Sequence, residues 1–499
     1  ALHRLPALEN AEVKMLLNGP EGFTPDGSFL LGEAAETRGL FLGCGMNSVG
    51  VASGGGAGMA LAHCIQHGHV PMDLHEVDPK RFSSAVNSVE ALTARVPEVL
   101  GKHYEISYPG RQWSTARNLK MLPLDGGWRE IGAHMGQFFG WERPLYFSKT
   151  KEPKLTFGRP DWFDQIRHEV HLAHEKAAIF DQSSFGKIEI QGRDACSFLN
   201  RLCTNEADRT PGRVIYTSML NDRGGIESDL TMIRLSDELY RLYVGTNSIK
   251  RDLAWLRHHR HADERLTITD CTLDYAVLGL MGPDADEIAN TVGAKALRSL
   301  RYFWADHSEI AQYPILAARL SYVGELGFEI TCNVAHALPI YEALYQAGAR
   351  PAGLLAQTSM RIEKQFLAYG HELDTDISPL QAGLGFSVAW DTEFIGKPRL
   401  LAQRDQGTRG NIISVLFHDQ HAVPIGNEPV VIDQKIVGKT TSAAFGHRIG
   451  APIALASIDE TSHWTNSNRA EVDIAGTLFG VDLVDGAVFD PKGLRMKRC

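Results

Sequence analysis

The stretch "SMLNDRGGIESDLTMIRL", Ser218–Leu235, reads as two β-strands linked by a turn at Asp222–Gly225. Asp229 falls where the second strand begins. A carboxylate there could take a proton from an amine or hold one in place. Taken alone, it is more simply a surface aspartate of a strand.

Outward from that hairpin, residues 151–405 mix helices and strands. "DWFDQIRHEVHLAHEKAAIFD" carries apolar residues at 163, 166, 170, 173 and 177, the spacing of an amphipathic helix. Alternating segments such as "GKIEIQG", "RLTITDC" and "FEITCNV" follow, separated by helices including "AHALPIYEALYQAG". That is an α+β pattern of antiparallel character. Past "DQG" near residue 405 the helix signals fade. "NIISVLF", "EPVVID", "KIVGKTTSAAF", "APIALASI", "AEVDIAG" and "FGVDLVD" are short strands at hairpin spacing, which predicts a small β-barrel or sandwich over 406–499. Residues 1–150 alternate both kinds of element. "RGLFLGCG" reads as a strand and "AGMALAHCIQHG" as a helix stopped by Gly68. "FSSAVNSVEALTARVPEVL" reads as mostly helical, its last turn broken or kinked by Pro97. The fold class is α+β in three blocks: 1–150, 151–405 and 406–499.

Two further segments bear on the chemistry of Asp229. In "RLSYVGELGFEI", Arg319–Ile330, Glu325 occupies a glycine-flanked turn between strands. A carboxylate so placed can accept two parallel N–H bonds from an aminopyrimidine. "SMRIEKQFLAYGHELD", Ser359–Asp374, reads as a helix bearing Arg361, a guanidinium suited to a glutamate tail.

The glycine-rich segment from Gly39, "GLFLGCGMNSVGVASGGGAG", admits three readings. "GCGMNS" approaches G-x-G-x-x-G, but Ser48 stands in place of the third glycine and no acid sits at ribose spacing. An ordinary strand-to-helix turn is the plain alternative. The third reading is a loop, Gly43–Gly58, whose bare N–H groups and following helix dipole suit the pyrimidine edge of a flavin.

Other classes find no support. "HEVHLAHE" spaces its histidines by three, and His63 and His67 lack a following acid, so no metal site is expected. A net charge of -10 offers no footprint for nucleic acid, and "RHHRH" at 257–261 closes a helix. The seven cysteines (44, 64, 196, 203, 271, 332 and 499) are scattered and unpaired by spacing, which points to a reducing compartment. No apolar stretch approaches the ~18–20 residues that cross a bilayer, and no secretory signal opens the chain. The expected setting is soluble and intracellular: the mitochondrial matrix in a eukaryote, the cytoplasm otherwise. An opening "ALHRLPALEN" reads as a fragment or a processed product.

Seven stretches, "NGPEGFTPD", "RGLFLGCGMNSVG…GGGAG", "GWERPLYF", "MLNDRGGIESDL", "RLSYVGELGFE", "SPLQAGL" and "FDPKG", run in order from residue 18 to residue 493. Together they resemble the dimethylglycine/sarcosine dehydrogenase family. The resemblance implies the closing part of an amino-acid-oxidase-like flavoprotein lobe (1–150), an aminomethyltransferase-like folate-binding domain (151–405) and a β-barrel (406–499). In that family FAD oxidises a small N-methyl amino acid, sarcosine or dimethylglycine, to an iminium. Tetrahydrofolate takes the one-carbon unit as methylene-tetrahydrofolate, and an electron-transfer flavoprotein is the implied acceptor. By position, Asp229 matches the acid beside the reacting folate nitrogens, Tyr216 and Tyr369 the pocket wall, Glu325 the pterin-binding glutamate, and Arg361 an arginine of the site. Asn47, Ser48, Val49, Gly50 and Val51 match the loop facing the flavin ring.

The chain departs from the family pattern in two respects. Gln381 stands where the family often carries glutamate. No G-x-G-x-x-G unit is present to bind the FAD pyrophosphate, so this polypeptide alone is expected to hold FAD poorly or not at all. Two alternatives stay open: a non-catalytic regulatory subunit of the pyruvate dehydrogenase phosphatase type, which resembles the same family, and a free-standing folate-dependent aminomethyltransferase.

Overall fold

A computed structural model describes residues 3–149, 153–408, 410–459 and 469–498; Cys499 and the expected boundary at 150/151 lie outside the described residues. Alternation along the strands decides the architecture. In Gly186–Gln191, Ile188 and Ile190 are fully buried on one face while Lys187 and Glu189 take the other. Leu239–Val244 and Ile226–Ser236 repeat the pattern with Tyr240, Leu242, Leu230 and Met232. Those apolar faces pack under the helices Ala195–Leu202 and Ile249–His259. With Thr267–Asp270 and Val214–Leu220 as edges, they form an antiparallel sheet of five strands.

A second sheet runs Ala305–Ile310, Tyr313–Ala318, Gly327–Asn333, Tyr275–Met281, Ala178–Asp181 and Arg350–Ala352, antiparallel except for the last pair. Leu278, Leu280, Phe328 and Ile330 lie beneath the helices Ala285–Thr291 and Ala337–Gln346 and beside Leu124 and Trp128. The remaining faces of the two sheets meet. Val214, Ile233 and Tyr243 pack on Val277, Leu316 and Ala318, and Tyr243 Oη lies 2.8 Å from Thr331 Oγ1. The layers are therefore helix, sheet, sheet, helix.

The last block is a closed barrel in the order Asn411–Phe417, Ala451–Ile458, Lys435–Gly446, Pro429–Ile432, Ala470–Ile474 and Thr477–Val484. Closure removes exposed strand edges. Ile412, Ile453 and Leu455 attach it to Ile362 and Leu373 of the central block. The first block holds the two-stranded sheet Leu30–Glu33/Phe41–Cys44, the helices Gly50–His67 and Val89–Lys102, and the hairpin Ala133–Phe138/Trp141–Phe147.

Three local expectations are corrected. The glycines of "GGGAG" are helical, not a loop: Gly50–His67 is one helix, so their N–H groups point back into its own ladder. Each glycine costs about 1 kcal/mol against alanine in a helix; Ala57 and Ala60, packed with Leu61 on Leu31 and Phe29, hold the element in place. Val89–Lys102 runs on through Pro97 and starts at Ser88, whose side chain accepts from Ala91 N. The helix carrying Arg361 ends at Glu363, well before Asp374; Gln365 turns to a φ of 52° and Tyr322 Oη binds Leu367 O at 2.7 Å.

The hairpin that carries Asp229 is braced by residues 374–377: Ile226 N donates to Asp374 O (3.1 Å) and Ile377 O (3.0 Å). The approach is so close that a Cβ on Gly225 would lie 1.9 Å from Thr375 O. Gly225→Ala is expected to cost about 1–3 kcal/mol, because backbone and not a flexible side chain has to move. A fall in the urea midpoint measures it.

Candidate functional site

The space between the two sheets is aliphatic at one end and polar at the other. Strand alternation sends Lys187, Asp229, Thr231 and Tyr216 inward from the first sheet and Glu329 and Thr331 inward from the second. Charged groups in a sheet–sheet interface carry a desolvation cost that packing alone does not explain.

Asp229 and Tyr216 are joined directly, the Tyr216 hydroxyl donating to Asp229 Oδ2 at 3.2 Å. Burial pushes the Asp229 carboxyl up to about 6, while the Tyr216 hydroxyl and the charge of Arg251 pull the other way. The Tyr216 phenol is in turn driven well above its ordinary range, by burial first and then by the Asp229 charge. On the facing sheet, burial raises Glu329 to about 7 against the Gln182 amide beside it. Gln182 is fully buried, and its amide oxygen and nitrogen have no hydrogen-bond partner. Burial lowers Lys187 to about 8, and its Nζ donates to Ser183 O at 2.7 Å. Burial, and behind it the Asp229 charge, keeps the Tyr322 phenol protonated against the pull of Arg361. The exposed ring of Phe386 stacks 6.2 Å from Tyr216. The arrangement offers two carboxyls that titrate near neutrality, from opposite walls, with phenols beside one of them. It suits a flat, nitrogen-rich ligand with N–H groups to give and a proton to lose.

The other expected residues are distributed as follows. Tyr369 is buried, with the Arg251 guanidinium 4.1 Å over its ring and its hydroxyl without a partner. Arg251 also lines a cavity of about 540 Å³ between the first block and the hairpin, with Glu227, His75 and Thr375. Arg361 is buried and bound to Glu372 (2.9 Å), Ser442 Oγ (2.5 Å) and Phe366 O (3.1 Å), and its charge acts on the Tyr322 phenol. Glu325 is fully buried in an ion cluster. One oxygen meets Arg448 Nη1 (2.9 Å) and His174 Nδ1 (2.9 Å), and the other meets Arg495 Nε (2.5 Å). That carboxylate has its cationic partners already and does not face Asp229. Gln381 fastens its own loop, its Oε1 accepting from Ser378 N at 3.0 Å.

The loop expected to face a flavin is ordered by Asn47, whose Oδ1 accepts from Thr24 N at 2.9 Å. Asn47 and Ser48 are both left-handed (φ 47° and 66°), and Ser48 binds Glu21. Val49 precedes the helix, Gly50 opens it, and Val51 is fully exposed. Among the described residues of this block the two sheets are both two-stranded antiparallel pairs, with no strand–helix–strand cradle for a dinucleotide pyrophosphate. These residues do not by themselves fit FAD.

Glu329, Tyr322, Gln182 and Lys187 escaped sequence reasoning. Glu329 and Tyr322 lie in the same quoted stretch as Glu325. The signal was the alternation F-E-I-T in Gly327–Asn333: with Phe328 and Ile330 in the core, Glu329 and Thr331 share the opposite face.

Comparison with known proteins places three family matches along the chain: the FAD dependent oxidoreductase central domain at 67–121, the GCVT N-terminal domain at 125–392, and the glycine cleavage T-protein C-terminal barrel domain at 411–490. A 4-methylaminobutanoate oxidase (formaldehyde-forming) of Paenarthrobacter nicotinovorans is 32% identical over 99% of this chain and 61% of its own length. The mitochondrial pyruvate dehydrogenase phosphatase regulatory subunit of Mus musculus is 32% identical over 96% of the chain and 58% of its own. The mitochondrial sarcosine dehydrogenase of the same species is 31% identical over the full chain and 60% of its own. The chain thus spans about three-fifths of the length of these relatives. The crystal structure of a glycine cleavage system aminomethyltransferase T from Bartonella henselae shares the fold, with a TM-score of 0.66 over 74% of this chain and 98% of that one at 22% identity. No helix among the described residues is long and apolar enough to cross a membrane.

Proposed function

The chain belongs to the dimethylglycine/sarcosine dehydrogenase family, and from that premise we propose that it serves FAD- and tetrahydrofolate-dependent oxidative N-demethylation of a small N-methyl amino acid. Sarcosine and dimethylglycine are the proposed substrates and an electron-transfer flavoprotein the proposed acceptor. The inter-sheet cleft is the folate side of that reaction. The observation that carries the reading is the pair of raised carboxyls, Asp229 bonded to Tyr216 on one wall and Glu329 on the other.

Tetrahydrofolate, when bound, supplies the amine nitrogens that accept a one-carbon unit. Glu329 would hold the aminopyrimidine through paired N–H donation, with the Gln182 amide beside it. Asp229 would receive the proton that a reacting nitrogen gives up, a task suited to a carboxyl poised near 6. Tyr216 orients Asp229 and stays protonated throughout, and Tyr369 with Arg251 forms the wall toward the larger cavity. Asn47, Ser48, Val49, Gly50 and Val51 remain the proposed flavin-facing loop. Arg361 and Glu325 act at a remove, by holding the turn and the helix that carry Tyr322 and its neighbours.

Calorimetric titration of the chain with tetrahydrofolate tests the site. Glu329→Gln is expected to weaken binding by about 10- to 100-fold, the worth of a hydrogen bond to a charged group. Glu325→Gln, in protein that remains folded, should leave it within about threefold. The reverse ranking would return the pterin contact to Glu325 and sink this assignment. The likeness to the phosphatase regulatory subunit carries a second reading, an interaction protein. That reading expects no heat with tetrahydrofolate and retention of a phosphatase on the purified chain.

A further inference from the structure

The barrel and the helix Phe163–Glu175 enclose a cavity of about 220 Å³ whose lining includes none of Asp229, Tyr216, Glu329, Tyr322, Gln182 and Lys187. On the helix Leu354–Glu363, Ser359 faces this cavity and donates to Phe445 O at 2.7 Å, while Arg361 is turned toward Ser442 and Glu372. An apolar cavity of ~150 Å³ accepts benzene, so this one has room for a single ring with a small substituent.

Its walls are aromatic. Phe163 and Phe445 meet edge to face at 4.9 Å, and Trp162 closes the same side. At the mouth Phe157 and Ile425 are 51% and 55% exposed, apolar surface left uncovered around an opening. The polar side chains of the lining are Thr156, Thr358, Ser359, Arg159 and His447, and the Ser359 hydroxyl is already engaged by Phe445 O. His447 is only 8% exposed, with its ring 4.8 Å from Phe163 and 5.1 Å from Phe445, and its Nδ1 has no hydrogen-bond partner. Arg159 stands over the rim, its guanidinium 4.3 Å from the Phe163 ring and 5.6 Å from the Phe445 ring. One of its nitrogens donates to Gln420 O at 2.9 Å, and a guanidinium has further N–H groups to offer. The charges around His447 lean positive. Arg159, Arg167 and His171 act on it against Asp164 alone, and Asp164 is already paired with Arg167 at 2.9 Å. Burial and those cations hold the imidazole neutral, down to about 4. An apolar cage, a buried imidazole lacking a partner and a guanidinium at the opening are complementary to a ring bearing an anion.

We propose that this cavity is a binding site for a small aromatic carboxylate, its ring held by Trp162, Phe163 and Phe445, its carboxylate on Arg159, and His447 supplying a hydrogen bond. The site is independent of the folate reading.

Benzoate is the probe, titrated into the full chain by calorimetry and followed by the His447 imidazole resonance. Saturable binding with a Kd on the order of 1 mM is expected for nine heavy atoms. Benzamide, the neutral isostere, should bind at least ~10-fold more weakly, as should benzoate to Arg159→Gln, since each loses one charge-assisted contact. Arg159 is exposed, so that variant tests the contact and not the fold. His447 should titrate at higher pH when benzoate is bound, because a nearby anion favours the imidazolium. The proposal fails if benzoate shows no saturation, if benzamide or Arg159→Gln binds equally well, or if His447 does not respond.

Discussion

Asp229→Asn is expected to slow one-carbon capture on tetrahydrofolate by about 10²- to 10⁴-fold, the range a positioned acid–base group supplies. Asparagine keeps the shape and can still accept from Tyr216, so binding should change far less than turnover. The pH profile separates this role from a structural one. The working form is the carboxylate, and burial sets its titration near 6. The wild-type rate should therefore be level above about 6 and fall tenfold per unit below it. In Asp229→Asn that acid limb disappears. A variant within about threefold of wild type, or one that keeps the limb, removes Asp229 from the chemistry.

Arg448→Ala is expected to be the most destabilising single change, at about 3–5 kcal/mol. Its guanidinium holds two fully buried carboxylates, Glu325 at 2.9 Å and Glu363, and also donates to Val323 O (2.8 Å) and Met360 O (2.6 Å). Alanine leaves both acids without that partner, and burial already pushes Glu363 upward. The unpartnered acids then prefer their protons, so the deficit should be largest at neutral and alkaline pH and shrink in acid. Urea unfolding at pH 5 and pH 8 measures both the size and the trend. A loss under about 1 kcal/mol would show that the cluster is dispensable.

The sheets, the helix layers and all six barrel strands were legible because each is a local pattern, period two or 3.6, read without its partners. The place of Asp229 on a hairpin was legible as well, and the register of that hairpin brings Tyr216 opposite Thr231 and Ser218 opposite Asp229. Glu325 was not, because its role is set by Arg448, which lies 123 residues on. No local rule tells an acid in a turn that faces a ligand from one that faces an arginine. Gln182 and Lys187 have the same difficulty: Gln182 follows the strand Ala178–Asp181 of one sheet, Lys187 lies in Gly186–Gln191 of the other, and only the meeting of the two sheets makes both interior. The glycine run was misread for the opposite reason. Low helix propensity suggested a loop, and packing of Ala57, Ala60 and Leu61 overrode it.

Arg495 has a consequence for biosynthesis. It reaches back 170 residues to Glu325, and neighbouring residues of the same tail fasten Arg319 and Lys364. A ribosome adding about 5–20 residues per second needs roughly 10–30 s to travel from the acid to its last cation. Until then one oxygen of the buried carboxylate lacks its cation, and for the first 123 residues the other lacks Arg448 as well. Consolidation of the cluster then waits until Arg495 has been made, and a chaperone that shelters the unfinished intermediate would find its client in that window.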